Sequence, residues 1–225
     1  MKLLSQMLGT LLTLTIATAI AFNARAQTPP VILVLGDSLS AGYGLPQGRS
    51  WVDLLRGKIE AERYGFKVVN ASISGETTLG GRNRLAPLLA RHKPAIVIVE
   101  LGANDALRGG DLARTRANLR AIVDASEAAS ARVLVIGMRI PPNYGPDYTA
   151  RFSALFVEVA NETRSALVPF MLEGFATRRE LFQEDGIHPK ATAQPLIVDT
   201  VFPKLKPLLD KAKPSASTLS RSAVA

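Results

Sequence analysis

The chain has 225 residues, of which 20% are charged, with a formal net charge of +8, no cysteine and one tryptophan. The lack of cysteine excludes a disulfide framework, a thiolate nucleophile, a cysteine zinc site and a cysteine-linked lipid anchor. The basic balance could favour anionic lipid headgroups or nucleic acid at low salt, but no lysine- and arginine-rich run with interleaved aromatics accompanies it, so no nucleic-acid partner is expected.

Lys2, an apolar run over about residues 8–22 and Ala24-Arg25-Ala26 before Gln27 form the pattern of a secretory leader with its cleavage site. An uncleaved anchor is the alternative, but the run is short and threonine-rich for a span. Residues 1–26 are therefore expected to be removed, leaving 199 residues at +6, enough for one domain over 27–212. The product is expected in the periplasm or outside the cell, with at most transient contact with an anionic membrane surface. Its oligomeric state is open.

Residues 31–35, VILVL, are apolar without alternation, the pattern of a strand covered on both faces. The spacing then predicts a helix from Ser50, with Asp53 as capping partner, Trp51, Leu54, Leu55 and Ile59 as its stripe, and Gly65 at its end. A strand over 66–73 follows, then a glycine-rich loop and a helix through Leu85, Leu88 and Leu89. Residues 95–101, AIVIVEL, read as a third strand. Leu112, Leu119, Ile122 and Val123 define a helix over about 111–130, and 132–137 is a fourth strand. Pro146 opens a helix carrying Phe152, Leu155, Phe156 and Val159. Residues 166–170 are a weak strand whose Pro169 suits a sheet edge. Beyond Pro189 a last helix holds Ile197, Val201, Leu205 and Leu208, with Pro203 and Pro207 expected to bend or interrupt it. The tail 213–225 is small and polar and is expected to fray.

Strands alternating with helices of ten to twenty residues imply a three-layer α/β/α sandwich around a parallel sheet, since parallel neighbours need a crossover. Ligands of such sheets bind beyond the carboxyl ends of the strands. There the chain places Gly36-Asp37-Ser38, Ser74-Gly75-Glu76-Thr77, Gly102-Ala103-Asn104-Asp105 and, further on, Asp185-Gly186-Ile187-His188-Pro189. Each alone could be a turn or a helix cap; their joint placement is informative.

A serine hydrolase needs a base of near-neutral pKa, and only His92 and His188 are available. His92 lies among Arg91, Lys93 and Pro94 at a helix end, where it complements the helix dipole. Asp185 precedes His188 by three residues, so its carboxylate can reach Nδ1 and leave Nε2 free to accept a proton. Asn104, Gly75 and Ser38 can supply N–H donors to an oxyanion. Ser40 is a rival nucleophile, but only Ser38 adjoins the strand end. Asp37, Glu76 and Asp105 could suggest a metal, yet they make a poor ligand set, and neither metal nor cofactor is required. Gly-x-Ser-x-Gly does not occur.

In order and spacing these four blocks resemble those of the SGNH or GDSL hydrolases. Ser38-Leu39-Ser40-Ala41-Gly42-Tyr43-Gly44 and Met138-Arg139-Ile140-Pro141-Pro142-Asn143-Tyr144-Gly145 are similar to stretches of that family's exported bacterial thioesterase I, lysophospholipase L1 and arylesterase group. The resemblance implies a flavodoxin-like sheet of order 2-1-3-4-5, Ser38 as nucleophile, His188 as base, Asp185 as its orienter, and Ser38, Gly75 and Asn104 as oxyanion donors. It implies a carboxylic ester, thioester or lipid acyl ester as substrate. Residues 76–81 occupy the place of a substrate-contacting loop, which makes Glu76, Thr77, Thr78 and Leu79 candidates for substrate contact. Two other readings are a polysaccharide deacetylase, which would want aromatic platforms where the chain offers only Trp51, and a non-catalytic binder of envelope polymers.

Overall fold

Apolar runs become the strands of one parallel sheet in a computed structural model that describes residues 28–212; the expected leader and tail lie outside the described residues. The strands are β1 (Val31–Gly36), β2 (Lys67–Asn70), β3 (Ile96–Glu100), β4 (Arg132–Ile136) and β5 (Ala166–Val168), and the order is β2-β1-β3-β4-β5. β1 and β3, each flanked by strands on both edges, have almost no polar position: every residue of 32–36 and of 96–100 is buried. Ile32 pairs with Ile96 and Gly36 with Glu100, so the ends of the two central strands finish level.

The helices are α1 (Ser38–Ala41), α2 (Trp51–Ala61), α3 (Thr78–His92), α4 (Ala103–Leu107), α5 (Leu112–Ala128), α6 (Pro146–Thr163) and α7 (Gln194–Ala212). α2 packs with α7 as one layer, and α3, α5 and α6 pack side by side as the other. Leu55, Ile59, Ile197, Val201 and Leu205 fill the first interface with the sheet, and Leu85, Leu119, Ile122, Phe152, Phe156 and Val159 the second; all are buried. Among the described residues no helix is long and apolar enough to cross a membrane.

Several boundaries differ from the expectation. β2 stops at Asn70 because the Asn70 Oδ1 accepts the Ser72 N–H at 3.1 Å and turns the chain, although Ala71 and Ile73 still donate to the backbone of β1. The helix from Ser50 has its capping box, but it ends at Ala61, and Arg63 (φ 55°) enters the left-handed region ahead of Gly65 (φ 75°), which takes it too. Residues 78–81, expected in a loop, form the first turn of α3. α7 runs unbroken through Pro203 and Pro207. Both prolines lie on its exposed face, so the carbonyls they leave unpaired face water while Val201, Phe202, Leu205 and Leu209 hold the other face. Trp51 is fully buried at the start of α2 and offers no platform for a sugar.

Candidate active site

The strand order reverses direction between β1 and β3, and the crevice beyond their carboxyl ends is where a ligand of such a sheet sits. β1 breaks there into one turn of helix. Asp37 caps it, its Oδ1 accepting the Leu39 N–H at 3.0 Å, and Ser38 is the first helical residue. Ser38 is therefore at a helix N-terminus at the strand end, half-buried, where no carbonyl of an earlier helical turn takes up its hydroxyl.

His188 reaches Ser38 from 150 residues further on, with Nε2 2.8 Å from the Ser38 Oγ. Nδ1 lies 2.6 Å from the Asp185 Oδ2, while the Asp185 Oδ1 accepts the backbone N–H groups of Ile187 at 2.9 Å and His188 at 3.0 Å. One carboxylate thus folds the turn that carries the histidine and also holds its ring. Burial pushes this carboxyl up, but the two N–H groups and the imidazole outweigh it and bring its pKa down to about 2. An ionised Asp185 accepts only, so Nδ1 carries the hydrogen and Nε2 is left as acceptor for the serine hydroxyl.

Two further contacts fix this loop. Tyr43, just past α1, lays its ring on the imidazole with centroids 4.6 Å apart, and its carbonyl accepts from the Gln183 Nε2 at 2.9 Å. Gln194 donates to the Pro189 carbonyl at 3.2 Å and accepts the Trp51 N–H at 2.8 Å, tying the histidine loop to α2. Tyr43 and Gln194 were not singled out from sequence: an exposed tyrosine after a turn and a glutamine at a helix start carry no signal of their own.

The donors expected for an oxyanion are near one another, in different states. Gly75 has φ +77°, a conformation that suits glycine, and among the described residues neither its N–H nor that of Ser38 donates to another protein group. Asn104, in α4, donates from Nδ2 to the Asp37 Oδ2 at 3.1 Å and to the Glu76 carbonyl at 3.0 Å. It thereby bridges the Ser38 turn and the Gly75 segment, with both amide hydrogens engaged. To donate to an oxyanion it must exchange one of these partners.

Beneath the turn lies a buried polar group absent from the sequence reading. Ser40 is inaccessible, and its hydroxyl donates to the Glu100 Oε2 at 2.6 Å, which removes it as a rival nucleophile. Burial raises the Asp37 carboxyl to about 6 and holds Glu100, beside it, well above the usual carboxylate range. Glu100 was hidden because it sits inside an apolar strand run with no turn to mark it.

The residues suggested for substrate contact separate. Thr77 caps α3 through the Gly80 N–H; Thr78 is buried, with its N–H and hydroxyl on the Asp105 carboxylate at 2.8 and 2.6 Å. Glu76 turns back to Arg84 at 2.6 Å. These three build the start of α3, and only Leu79, 53% exposed, faces solvent. Asp37, Glu76 and Asp105 each serve a different partner rather than a common cation. His92 ends α3, as expected. A cavity of about 510 Å³ opens beside Ser38, Asn104 and His188, walled by Leu107, Met138, Ile140, Pro141, Phe170 and Leu172.

Residues 34–194 match the GDSL-like lipase/acylhydrolase family. The chain is 48% identical over 187 residues to the esterase TesA of Pseudomonas aeruginosa, covering 83% of this chain and 92% of that one. It is 42% identical over 186 residues to the thioesterase 1/protease 1/lysophospholipase L1 of Escherichia coli strain K12, covering 83% and 88%. Among solved structures it resembles the psychrotrophic esterase EstA from Pseudoalteromonas sp., inhibited by monoethylphosphonate, with a TM-score of 0.76, 43% identity and coverage of 80% and 98%.

Proposed function

The chain belongs to the GDSL-like lipase/acylhydrolase family and is a serine hydrolase of esters and thioesters; from that premise we propose that Ser38, His188 and Asp185 carry the reaction. The observation that supports this reading most is the 2.8 Å separation of the His188 Nε2 and the Ser38 Oγ, with Asp185 on the far side of the ring.

Ser38 attacks the acyl carbonyl as Nε2 takes its proton, and the ionised Asp185 stabilises the imidazolium that forms. The carbonyl oxygen, now negative, receives the N–H groups of Ser38 and Gly75 and the amide of Asn104, which releases the Glu76 carbonyl to do so. His188 then protonates the departing alcohol or thiol. Water, activated by the same imidazole, cleaves the acyl-enzyme and returns Ser38. The apolar cavity beside Ser38 takes the acyl chain; of the 76–79 set only Leu79 is left exposed for substrate contact, outside the lining of that cavity. No metal or cofactor enters any step.

Residues 1–26 are proposed as a leader removed on export, 27–212 as the hydrolase domain and 213–225 as a tail outside it. The protein then works in the periplasm or outside the cell, and its basic charge supports transient contact with an anionic membrane surface. N-terminal sequencing of the exported protein should begin at Gln27; a retained Met1 would refute removal.

The test of mechanism is a rapid-mixing experiment with a p-nitrophenyl acyl ester. One equivalent of p-nitrophenol should appear per site when deacylation limits turnover, and Ser38→Ala should abolish both this burst and the steady state. Equal turnover by Ser38→Ala would remove Ser38 from the mechanism.

A further inference from the structure

β3 ends in a carboxyl that the proposed chemistry leaves unused. Glu100 is fully buried; its Oε2 accepts the Ser40 hydroxyl at 2.6 Å and the Asp37 N–H at 3.3 Å, whereas among the described residues no hydrogen bond reaches Oε1. The fold leaves room for this group: a Cβ on Gly36 would lie 2.8 Å from Oε2 and 2.7 Å from the Ser40 side chain. Asp37, 1% exposed, has both oxygens engaged by N–H donors, Oδ1 by Leu39 and Oδ2 by Asn104.

Two adjacent carboxylates in a dry site cannot both ionise, and a buried carboxyl oxygen that no donor reaches is satisfied when it carries a proton itself. One arrangement serves every atom without asking a protonated oxygen to accept an N–H as well. If Glu100 holds the proton and gives it in a hydrogen bond to Asp37, Glu100 still accepts from Ser40 and from the Asp37 N–H, and Asp37 keeps its charge for Leu39 and Asn104.

We propose that Asp37 and Glu100 are a one-proton couple with Glu100 as the neutral member, and that the charge thereby confined to Asp37 makes it a positioning residue, fastening Asn104 and the Ser38 turn to one carboxylate. This rests on the reading of Ser38 and Asn104 as oxyanion donors. The titration pattern agrees. Burial and the Asp37 charge lift Glu100 well above the carboxylate range; burial lifts Asp37 too, but the Leu39 N–H, His188, Glu100 and Asn104 hold it at about 6. The groups facing Asp37 are thus Glu100 from β3, Asn104 from α4 and His188 from the loop after β5.

The couple separates two isosteric substitutions. Glu100→Gln preserves the pattern of a protonated acid, with one acceptor for Ser40 and one donor toward Asp37. Asp37→Asn cannot preserve its own, because an amide has one acceptor and two N–H donors face it, from Leu39 and Asn104. Steady-state kinetics on a p-nitrophenyl ester from pH 5 to 9 should show Asp37→Asn losing about thirty- to a hundredfold in kcat with KM within threefold, part of the effect of losing an oxyanion donor. Glu100→Gln should lose at least tenfold less. The acid limb of log(kcat/KM) should be steeper in the wild type, where Asp37 must be ionised, than in Asp37→Asn. Wild-type kcat in Asp37→Asn, a loss confined to KM, or equal losses in the two variants would overturn the couple. If Ser38→Ala is dead while Asp37→Asn is fully active, the couple fails and the triad stands; if Ser38→Ala turns over normally, the underlying reading fails. A measurement on the unsubstituted protein guards against misfolded variants: at pH 7 its infrared spectrum should hold a protonated-carboxyl C=O band that shifts with ¹³C-glutamate labelling. No such band would overturn the proposal.

Discussion

Replacing Asp185 by asparagine changes one atom and should reverse the polarity of the Ser38–His188 contact. The asparagine oxygen can still accept the Ile187 and His188 N–H groups, so the turn is retained. Its NH₂ then faces Nδ1, which must become the acceptor, and the ring hydrogen moves to Nε2, 2.8 Å from the Ser38 Oγ, where a base is needed. In a buried triad this exchange lowers turnover by about 10⁴. Here the Asp185 side chain is 37% exposed, so water can take up part of the imidazole N–H, and the expected loss is nearer a hundred- to thousandfold in kcat, about 3–4 kcal/mol of barrier. Asp185→Ala removes the acceptor that folds the turn as well as the partner of the ring, and should also fall at least a hundredfold. Both are measured with a p-nitrophenyl ester at pH 8, with folding checked by circular dichroism. An Asp185→Asn enzyme within threefold of wild type would refute the tautomer argument.

Ser40→Ala should remove a buried hydrogen bond and leave the Glu100 Oε2 with the Asp37 N–H alone, costing about 1–3 kcal/mol in urea denaturation while kcat falls less than tenfold; complete inactivation would return Ser40 to the list of nucleophiles. Asp37, with its folded-state pKa raised to about 6 from 3.8, contributes stability that is full below 3.8 and lost as pH rises through about 6. That loss is on the order of 3 kcal/mol, and Asp37→Asn should flatten the stability profile between pH 4 and 7; an unchanged slope would contradict it. Asp185 works in the opposite sense: its pKa, lowered from 3.8 to about 2, contributes stability present above 3.8 and lost as pH falls toward 2, a loss that Asp185→Asn should abolish in acid melts. Ile140→Trp, which adds bulk to the cavity wall beside Ser38, should lower kcat/KM for an octanoyl ester at least tenfold more than for an acetyl ester; equal effects would move the acyl chain out of this cavity.

The sheet was legible because unbroken apolar runs such as residues 31–35 and 96–100 leave few other places to go than the middle of a covered sheet, and capping pairs such as Ser50 and Asp53 mark helix starts locally. Ser38, Asp185 and His188 were legible because two of them sit three residues apart and the third follows directly on a strand end. What stayed hidden depends on contacts between distant segments. Thr78 reads as loop beside Gly80 and Gly81 until Asp105, 27 residues away, takes its N–H and hydroxyl. Glu100 reads as one more strand residue until its partners arrive, Asp37 from the junction of β1 and α1 and Ser40 from α1. Pro203 and Pro207 read as helix breakers because the packing that holds α7 together is tertiary.

The most direct test of Ser38 as nucleophile is the mass of the protein after reaction with a p-nitrophenyl alkylphosphonate, followed by peptide mapping. A single adduct on Ser38, formed at a rate that falls at least a hundredfold in His188→Ala, is the expected result. An adduct on any other residue, or labelling of Ser38 that does not depend on His188, would contradict the account.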